Sequence, residues 1–314
     1  MAGVSRSQCA GERGGRVGLP NFLIVGAQKA GTTALYHYLG QHPQIYMSPV
    51  KEPHFFTYEG GDLKFSGPGR GYAPPVTRIE DYRELFRGAA GETALGEAST
   101  SYIYFERAIE RIRRYAPDAR LIAVLRDPAE RAYSNYLHCV RGGSEPLDDF
   151  ELALRAEETR IRDNWGTVYY YRQKGFYYAQ LTRYYEAFEK EQIRVYLYED
   201  LKEDPAGVVR DAFGHLGVDE DFVPDVSLRH NVSGVPRSRA LHGFLGSSHP
   251  VKSAIKPFVP EAARLRLVTL MRNRNLSKPS PLSPEVRGRL VEEYREDVLG
   301  LQDLIQRDLS GWLA

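Results

Sequence analysis

Lys29, Gly31, Thr32 and Thr33 fall together between positions 29 and 33, bringing an ammonium, a residue without a side chain and two hydroxyls into one short stretch. The chemistry this combination suits is the binding of an anion such as a phosphate. Gly31 lets the backbone come close to a ligand, the threonines add hydroxyl donors, and Lys29 adds a mobile point charge. The apolar run from Phe22 to Val25 reads as a buried strand, and Leu35 and Leu39 read as one face of a following helix. At such a junction the helix's first N–H groups are unpaired and the positive end of its dipole faces the loop, so an anion is the natural occupant.

The spacing of Gly26 and Gly31 fits the phosphate loop of nucleotide triphosphatases, Gly-x-x-x-x-Gly-Lys-Ser/Thr. Thr32, however, occupies the lysine position, and Lys29 precedes the glycine instead of following it. The plainer alternative is an ordinary strand-to-helix turn with a surface lysine. A second candidate anion site lies at Arg126, directly after the apolar run Leu121–Leu125, with Ser134 about two turns along the next helix. Arginine suits a bidentate grip on phosphate and serine adds a donor. Arg126 could equally pair with Asp127 or Glu130, since ion pairs at helix starts are frequent.

These residues need strands and helices to hold them, and the sequence supplies an alternation of the two. Gln44 to Met47 reads as a short strand. Phe105, Ala108, Ile109, Ile112 and Tyr115 recur at helical spacing, with Pro117 as the stop. Leu121–Leu125 is a strand covered on both faces, and Asp127 and Pro128 cap and start the helix after it. An amphipathic helix over 180–189 precedes a strand over 193–198. Ser283 and Pro284 open a C-terminal packing helix carrying Val286, Leu290, Tyr294, Val298, Leu301 and Ile305. Strands alternating with helices predict an α/β fold, a single domain around a central parallel β-sheet flanked by helices. The Gly-, Pro- and Tyr-rich stretch 57–76 reads as a long surface loop able to line a cleft.

The chain has 314 residues, 42 % of them apolar and 26 % charged, the composition of a soluble globular protein. A net charge of +1 gives no general affinity for polyanions and argues against nucleic acid as a partner. Cys9 and Cys139 cannot form a disulfide framework. No apolar stretch approaches the roughly 20 residues that span a bilayer, and residues 1–18 read as a disordered tail without the apolar core of a secretory signal. The domain is placed over 19–314, and the chain reads as cytoplasmic, or alternatively as the luminal domain of a secretory-pathway enzyme without its anchor.

Two anion sites at two strand ends suit a nucleotide with phosphates on both its 5′ and 3′ positions. Gln28-Lys29-Ala30-Gly31-Thr32-Thr33 together with Leu125-Arg126-Asp127-Pro128-Ala129-Glu130-Arg131-Ala132-Tyr133-Ser134-Asn135-Tyr136 resembles the sulfotransferases that use 3′-phosphoadenosine 5′-phosphosulfate (PAPS). The closer branch is the heparan-sulfate-type carbohydrate sulfotransferases and their bacterial relatives, because Ala34 stands where the cytosolic phenol and steroid branch has tryptophan. The resemblance implies that Lys29 contacts the 5′-phosphosulfate and its bridging oxygen and that the loop through Ala30, Gly31, Thr32, Thr33 and Ala34 holds the 5′-phosphate. It assigns Arg126 and Ser134 to the 3′-phosphate. It also implies that no metal is required.

The resemblance further matches Lys51-Glu52-Pro53-His54-Phe55-Phe56 to a family segment whose glutamate is the proposed general base, with a histidine close beside it. Glu52 and His54 fall on the same side of an extended segment, and the choice of base between them stays open. A turn with a solvated glutamate and a structural histidine is the alternative. In Gly96-Glu97-Ala98-Ser99-Thr100-Ser101-Tyr102 the family often carries lysine where Ala98 stands, which puts a heparan-type charge arrangement in question; Glu97 is still expected to line the acceptor side. Arg237, in a late polar loop, is the candidate to close over the 3′-phosphate. Trp165 is a candidate acceptor contact, and the aromatic stretch Val168–Tyr178 is read as packing. The expected reaction is transfer of a sulfuryl group to a hydroxyl or amine of a small-molecule or carbohydrate acceptor. The competing readings are a P-loop kinase or triphosphatase and a catalytically silent nucleotide- or glycan-binding module.

Overall fold

The computed structural model describes residues 18–61, 64–68, 74–227, 235–236, 276–277 and 279–314. All but the last position of the 1–18 tail, and Arg237, lie outside these. Five strands form the sheet: β1 (Phe22–Gly26), β2 (Ile45–Met47), β3 (Ala94–Ala98), β4 (Arg120–Leu125) and β5 (Ile193–Leu197). Their order is β2-β3-β1-β4-β5, and every neighbouring pair is parallel. Helix α1 (Thr32–Leu39) joins β1 to β2, and α2 (Phe55–Tyr58) and α3 (Ile79–Glu84) lie between β2 and β3. Helix α4 (Glu106–Tyr115) joins β3 to β4, and α5 (Pro128–Gly142), α6 (Phe150–Arg155), α7 (Glu157–Arg162) and α8 (Tyr177–Ala187) lie between β4 and β5. After β5 come α9 (Tyr198–Glu203), α10 (Pro205–Leu216) and α11 (Pro284–Ile305); the short pair β6 (Val235–Pro236) and β7 (Leu276–Ser277) is antiparallel.

The parallel sheet flanked by helices is the architecture the sequence predicts. Phe22, Leu23, Ile24 and Val25 on β1 and Leu121 to Leu125 on β4 are all buried, as central parallel strands covered on both faces must be. Each such large side chain contributes about 1.5–3 kcal/mol on burial. Local signals set the helix starts. Asp127 Oδ1 accepts from the N–H groups of Ala129 at 2.9 Å and Glu130 at 3.1 Å, with Pro128 in the first helical position. Ser283 Oγ accepts from Val286 N at 3.4 Å, and Pro284 opens α11 in the same way. Among the described residues no helix is long and apolar enough to cross a membrane.

Topology fixes where a ligand belongs. The chain leaves β1 through α1 toward β2, on the far side of β3, and leaves β4 toward β5 on the opposite side. Since β1 and β4 are neighbours, their C-terminal ends border the crevice where connections diverge, the usual ligand site of an open α/β sheet. The loop at 27–31 and Arg126 flank that crevice. One expectation is corrected: the stretch from Thr57 does not begin as a surface loop. Thr57 and Tyr58 belong to α2 and are buried, because the aromatic rings of Phe55 and Phe56 pull this turn into the core against Tyr82 and Tyr102.

Candidate active site

The loop after β1 closes as a tight turn, with Ala30 N donating to Ala27 O at 3.2 Å, and delivers Gly31 to the start of α1 with φ 98°. Only glycine adopts this conformation at little cost. A Cβ here would also lie 3.1 Å from the Tyr198 ring, so any side chain would push Tyr198 away. Among the described residues no side chain caps α1, which leaves its first N–H groups available for an anion. Lys29 sits half-buried before the glycine, and burial, then the charges of Arg141 and Arg126, lower its ammonium to about 8, against an upward pull from Glu52.

Across the crevice, Arg126 is held loosely. Its guanidinium lies 4.8 Å over the Tyr198 ring, 3.4 Å from Glu130 Oε2 and 3.5 Å from the Lys29 carbonyl. The Glu130 pair raised from the sequence is therefore real, but long and partly exposed, leaving donors to spare. Ser134 lies on α5, part-exposed. The start of α5 is already occupied by the Asp127 carboxylate, so an anion beside this helix would be met by the Arg126 and Ser134 side chains and not by the helix terminus. Tyr198, which the sequence shows only as a strand residue, touches both anion positions: it packs on Gly31 and under Arg126.

Glu52 and His54 come together as the sequence suggests, with Glu52 Oε2 3.5 Å from His54 Nε2. The geometry is not a simple extended segment, since His54 has φ 55° and starts α2. Thr100 donates to Glu52 Oε2 through its backbone N at 2.8 Å and its hydroxyl at 2.7 Å, and Lys51 Nζ donates to Oε1 at 3.4 Å. Burial pushes the Glu52 carboxyl up, but Lys51, His54 and the two Thr100 bonds outweigh it and hold the acid below its ordinary range. At neutral pH it is a carboxylate, its side chain one-fifth exposed at 20 %. His54 is buried, its Nδ1 2.8 Å from Ser101 Oγ and its backbone N donating to Ser99 Oγ at 2.9 Å. Burial lowers the imidazole, and Glu52 opposes this.

Glu97, expected to line the acceptor side, is instead enclosed and joins this pair through Ser99. It has no exposed surface and accepts from Ser99 Oγ at 2.9 Å and Tyr82 OH at 3.2 Å. Burial raises its carboxyl to about 7, while bonds from Tyr102, Ser99 and Tyr82 pull it down. Glu97 thus braces Ser99, which in turn receives the His54 backbone. Trp165 packs against Gly67, against Tyr169 and over the Arg160 guanidinium, a cluster holding none of the other candidates.

The sequence reading passed over two further residues. Lys174, in the 3-10 turn Gln173–Gly175, is 6 % exposed and donates from Nζ to Gln28 Oε1 at 3.1 Å. His138, one turn beyond Ser134 on α5 and exposed, lies within electrostatic reach of Lys29 and Glu52. The spacing from Ser134 would have pointed to His138. For Lys174 the only signal is a lysine inside the aromatic stretch, whose neighbours Tyr169, Tyr171 and Tyr177 are core residues.

A family model of the sulfotransferase domain matches residues 19–231, more than half of the chain. The chain belongs to the sulfotransferase family. A sulfotransferase from Alicyclobacillus acidocaldarius, whose crystal structure is known, is 36 % identical, with a TM-score of 0.73 and coverage of 94 % of this chain and 99 % of that one. Mouse heparan sulfate glucosamine 3-O-sulfotransferase 6 is 31 % identical over 83 % of this chain and 71 % of its own length. Human carbohydrate sulfotransferase 15 is 29 % identical over 58 % of this chain, a match that spans 41 % of that protein. The chain thus spans less than half the length of some curated relatives. The span matched to the sulfotransferase domain holds every described candidate from Lys29 to Lys174 and stops before Arg237.

Proposed function

We propose that this sulfotransferase transfers the sulfuryl group of PAPS to a hydroxyl or amine of a carbohydrate or glycosylated small molecule. The observation that carries the reading is the start of α1 without a side-chain cap, flanked by Lys29 and Arg126, with the Glu52 carboxylate within electrostatic reach of Lys29. The residues fit such a co-substrate. The bare helix terminus with Thr32 and Thr33 suits a 5′-phosphate, and Arg126 with Ser134 suits a phosphate at the 3′ end. Ala30 and Ala34 flank the first position. Arg237, outside the described residues, is carried forward as a contact to the 3′-phosphate, and Trp165 as an acceptor contact.

PAPS supplies an activated sulfur whose bond to the 5′-phosphate oxygen breaks as a bond to the acceptor oxygen or nitrogen forms, releasing 3′-phosphoadenosine 5′-phosphate (PAP). Such in-line transfers are loose, and positioning and charge stabilisation do most of the catalysis. Lys29 neutralises the charge that develops on the leaving oxygen. Glu52, ionised at neutral pH and fixed by Thr100, takes the acceptor's proton. His54 orients Glu52 from its buried seat. Incubation with sulfur-labelled PAPS and a panel of sugars and glycosides tests the reading. Label should pass to an acceptor, and PAP should raise the melting temperature; failure of both would sink it.

A further inference from the structure

The 3-10 turn that carries Lys174 is clamped from several sides. The buried Glu157 carboxylate accepts from the N–H groups of Arg172 at 2.7 Å and Gln173 at 2.8 Å, and Tyr294 OH donates to Arg172 O at 2.7 Å. Tyr104 OH donates to Gln173 Oε1 at 2.7 Å. A Cβ at Gly175 would lie 2.7 Å from the Tyr294 ring, so the turn and α11 touch without a side chain between them. This much structure holds one ammonium in place. Its direct partners among the described residues are the neutral Gln28 amide at 3.1 Å and the Tyr104 ring at 5.9 Å, and no carboxylate there forms an ion pair with it.

A buried ammonium without a counter-ion is costly, and here burial and then the Arg131 guanidinium lower it to about 7, with Glu52 pulling upward. An arriving anion would offset that cost. The position says which anion. Gln28 is the residue before Lys29, and the charge of Lys174 is felt by both Glu52 and His54. Lys174 is therefore bonded to the residue beside Lys29 and within electrostatic reach of the Glu52–His54 pair.

Resting on the PAPS reading above, we propose that Lys174 contacts the sulfonate oxygens of the donor and so separates PAPS from its desulfated product. Lys29 would serve the bridging oxygen and Lys174 the group in flight. The product, lacking the sulfonate, loses this contact and leaves more readily.

The test compares PAPS with PAP, which differ only in that group. The full chain, Lys174→Met and Lys174→Gln are each titrated with both nucleotides without acceptor. The variants should lose about tenfold or more in PAPS affinity, the scale of a charged hydrogen bond, while PAP affinity changes less than about threefold. A PAPS-to-PAP ratio unchanged from the unaltered protein would overturn the inference. If the unaltered protein binds neither nucleotide, the PAPS reading itself falls and takes the inference with it. A second measurement needs no variant: PAPS, and not PAP, should slow reductive methylation of Lys174, read by mass spectrometry. Equal protection by both would also count against it.

Discussion

At the loop after β1, Lys29, Gly31, Thr32 and Thr33 come from one unbroken stretch, and the backbone N–H groups at the start of α1 are what it would offer the proposed nucleotide. Around Glu52 the parts come from three distant segments, Glu52 with His54, Thr100, and Lys174, and they meet through side chains and the backbone N of Thr100. The first arrangement needs a strand, a turn and a helix, which a local sequence can specify. The second needs a buried scaffold of Ser99, Ser101, Glu97 and Glu157 to bring its parts together. On the proposed reading the first side is tied to nucleotide binding and the second to the transfer step.

Substitutions can break or sharpen that division. The largest effect is expected at Lys29, which serves both sides: Lys29→Ala should lower kcat by about 100- to 1000-fold, measured at saturating PAPS. Glu52→Gln should come next, with turnover down about 100-fold and PAP affinity, by calorimetry, unchanged. Arg126→Ala should do the reverse, weakening PAP by about 1.5–3 kcal/mol while kcat at saturation stays within a few-fold. If Glu52→Gln weakened the nucleotide or Arg126→Ala left it untouched, the two sides would not be separable in this way.

The smallest effect on turnover belongs to Glu97, and there the readout is stability against pH. Its folded-state pKa of about 7 lies above the ordinary 4.5, so the native state holds a proton that the unfolded state releases. Stability from this group is complete below the ordinary value and is lost as pH rises toward 7. The loss is roughly 3 kcal/mol at most. Glu97→Gln keeps the hydrogen-bonding shape and should flatten the fall in Tm between those limits, while a slope equal to that of the unaltered protein would show that Glu97 is not the group responsible.

The same division governs what could be read from the sequence. Strands β1 and β4 show as apolar runs, and α5 and α11 announce themselves through Asp127-Pro128 and Ser283-Pro284. Strand β3 does not, because Ala94-Leu95-Gly96-Glu97-Ala98 has no β-branched residue; its place is set by packing, with Phe22 filling the space over Gly96. Helix α10 went unread although Asp204, Pro205 and Gly217 mark both of its ends, the last with φ 70°. The nucleotide loop was legible because its parts adjoin one another. Lys174 was not, since only the folded turn brings it to Gln28, and Glu97 looked like a cleft residue because a sequence does not reveal burial.

The cap on α5 has one further consequence. The proposed nucleotide, anionic at both ends, would meet two unlike receptors, a bare helix start at α1 and a pair of side chains beside a helix whose start is already filled by Asp127. The Asp127 carboxylate at the second of these is itself occupied, by the α5 N–H groups and by Arg287 at 3.0 Å. Asp127 thus withdraws the α5 terminus from ligand binding, so that the two ends of the proposed donor would be told apart by backbone N–H groups at one and side chains at the other.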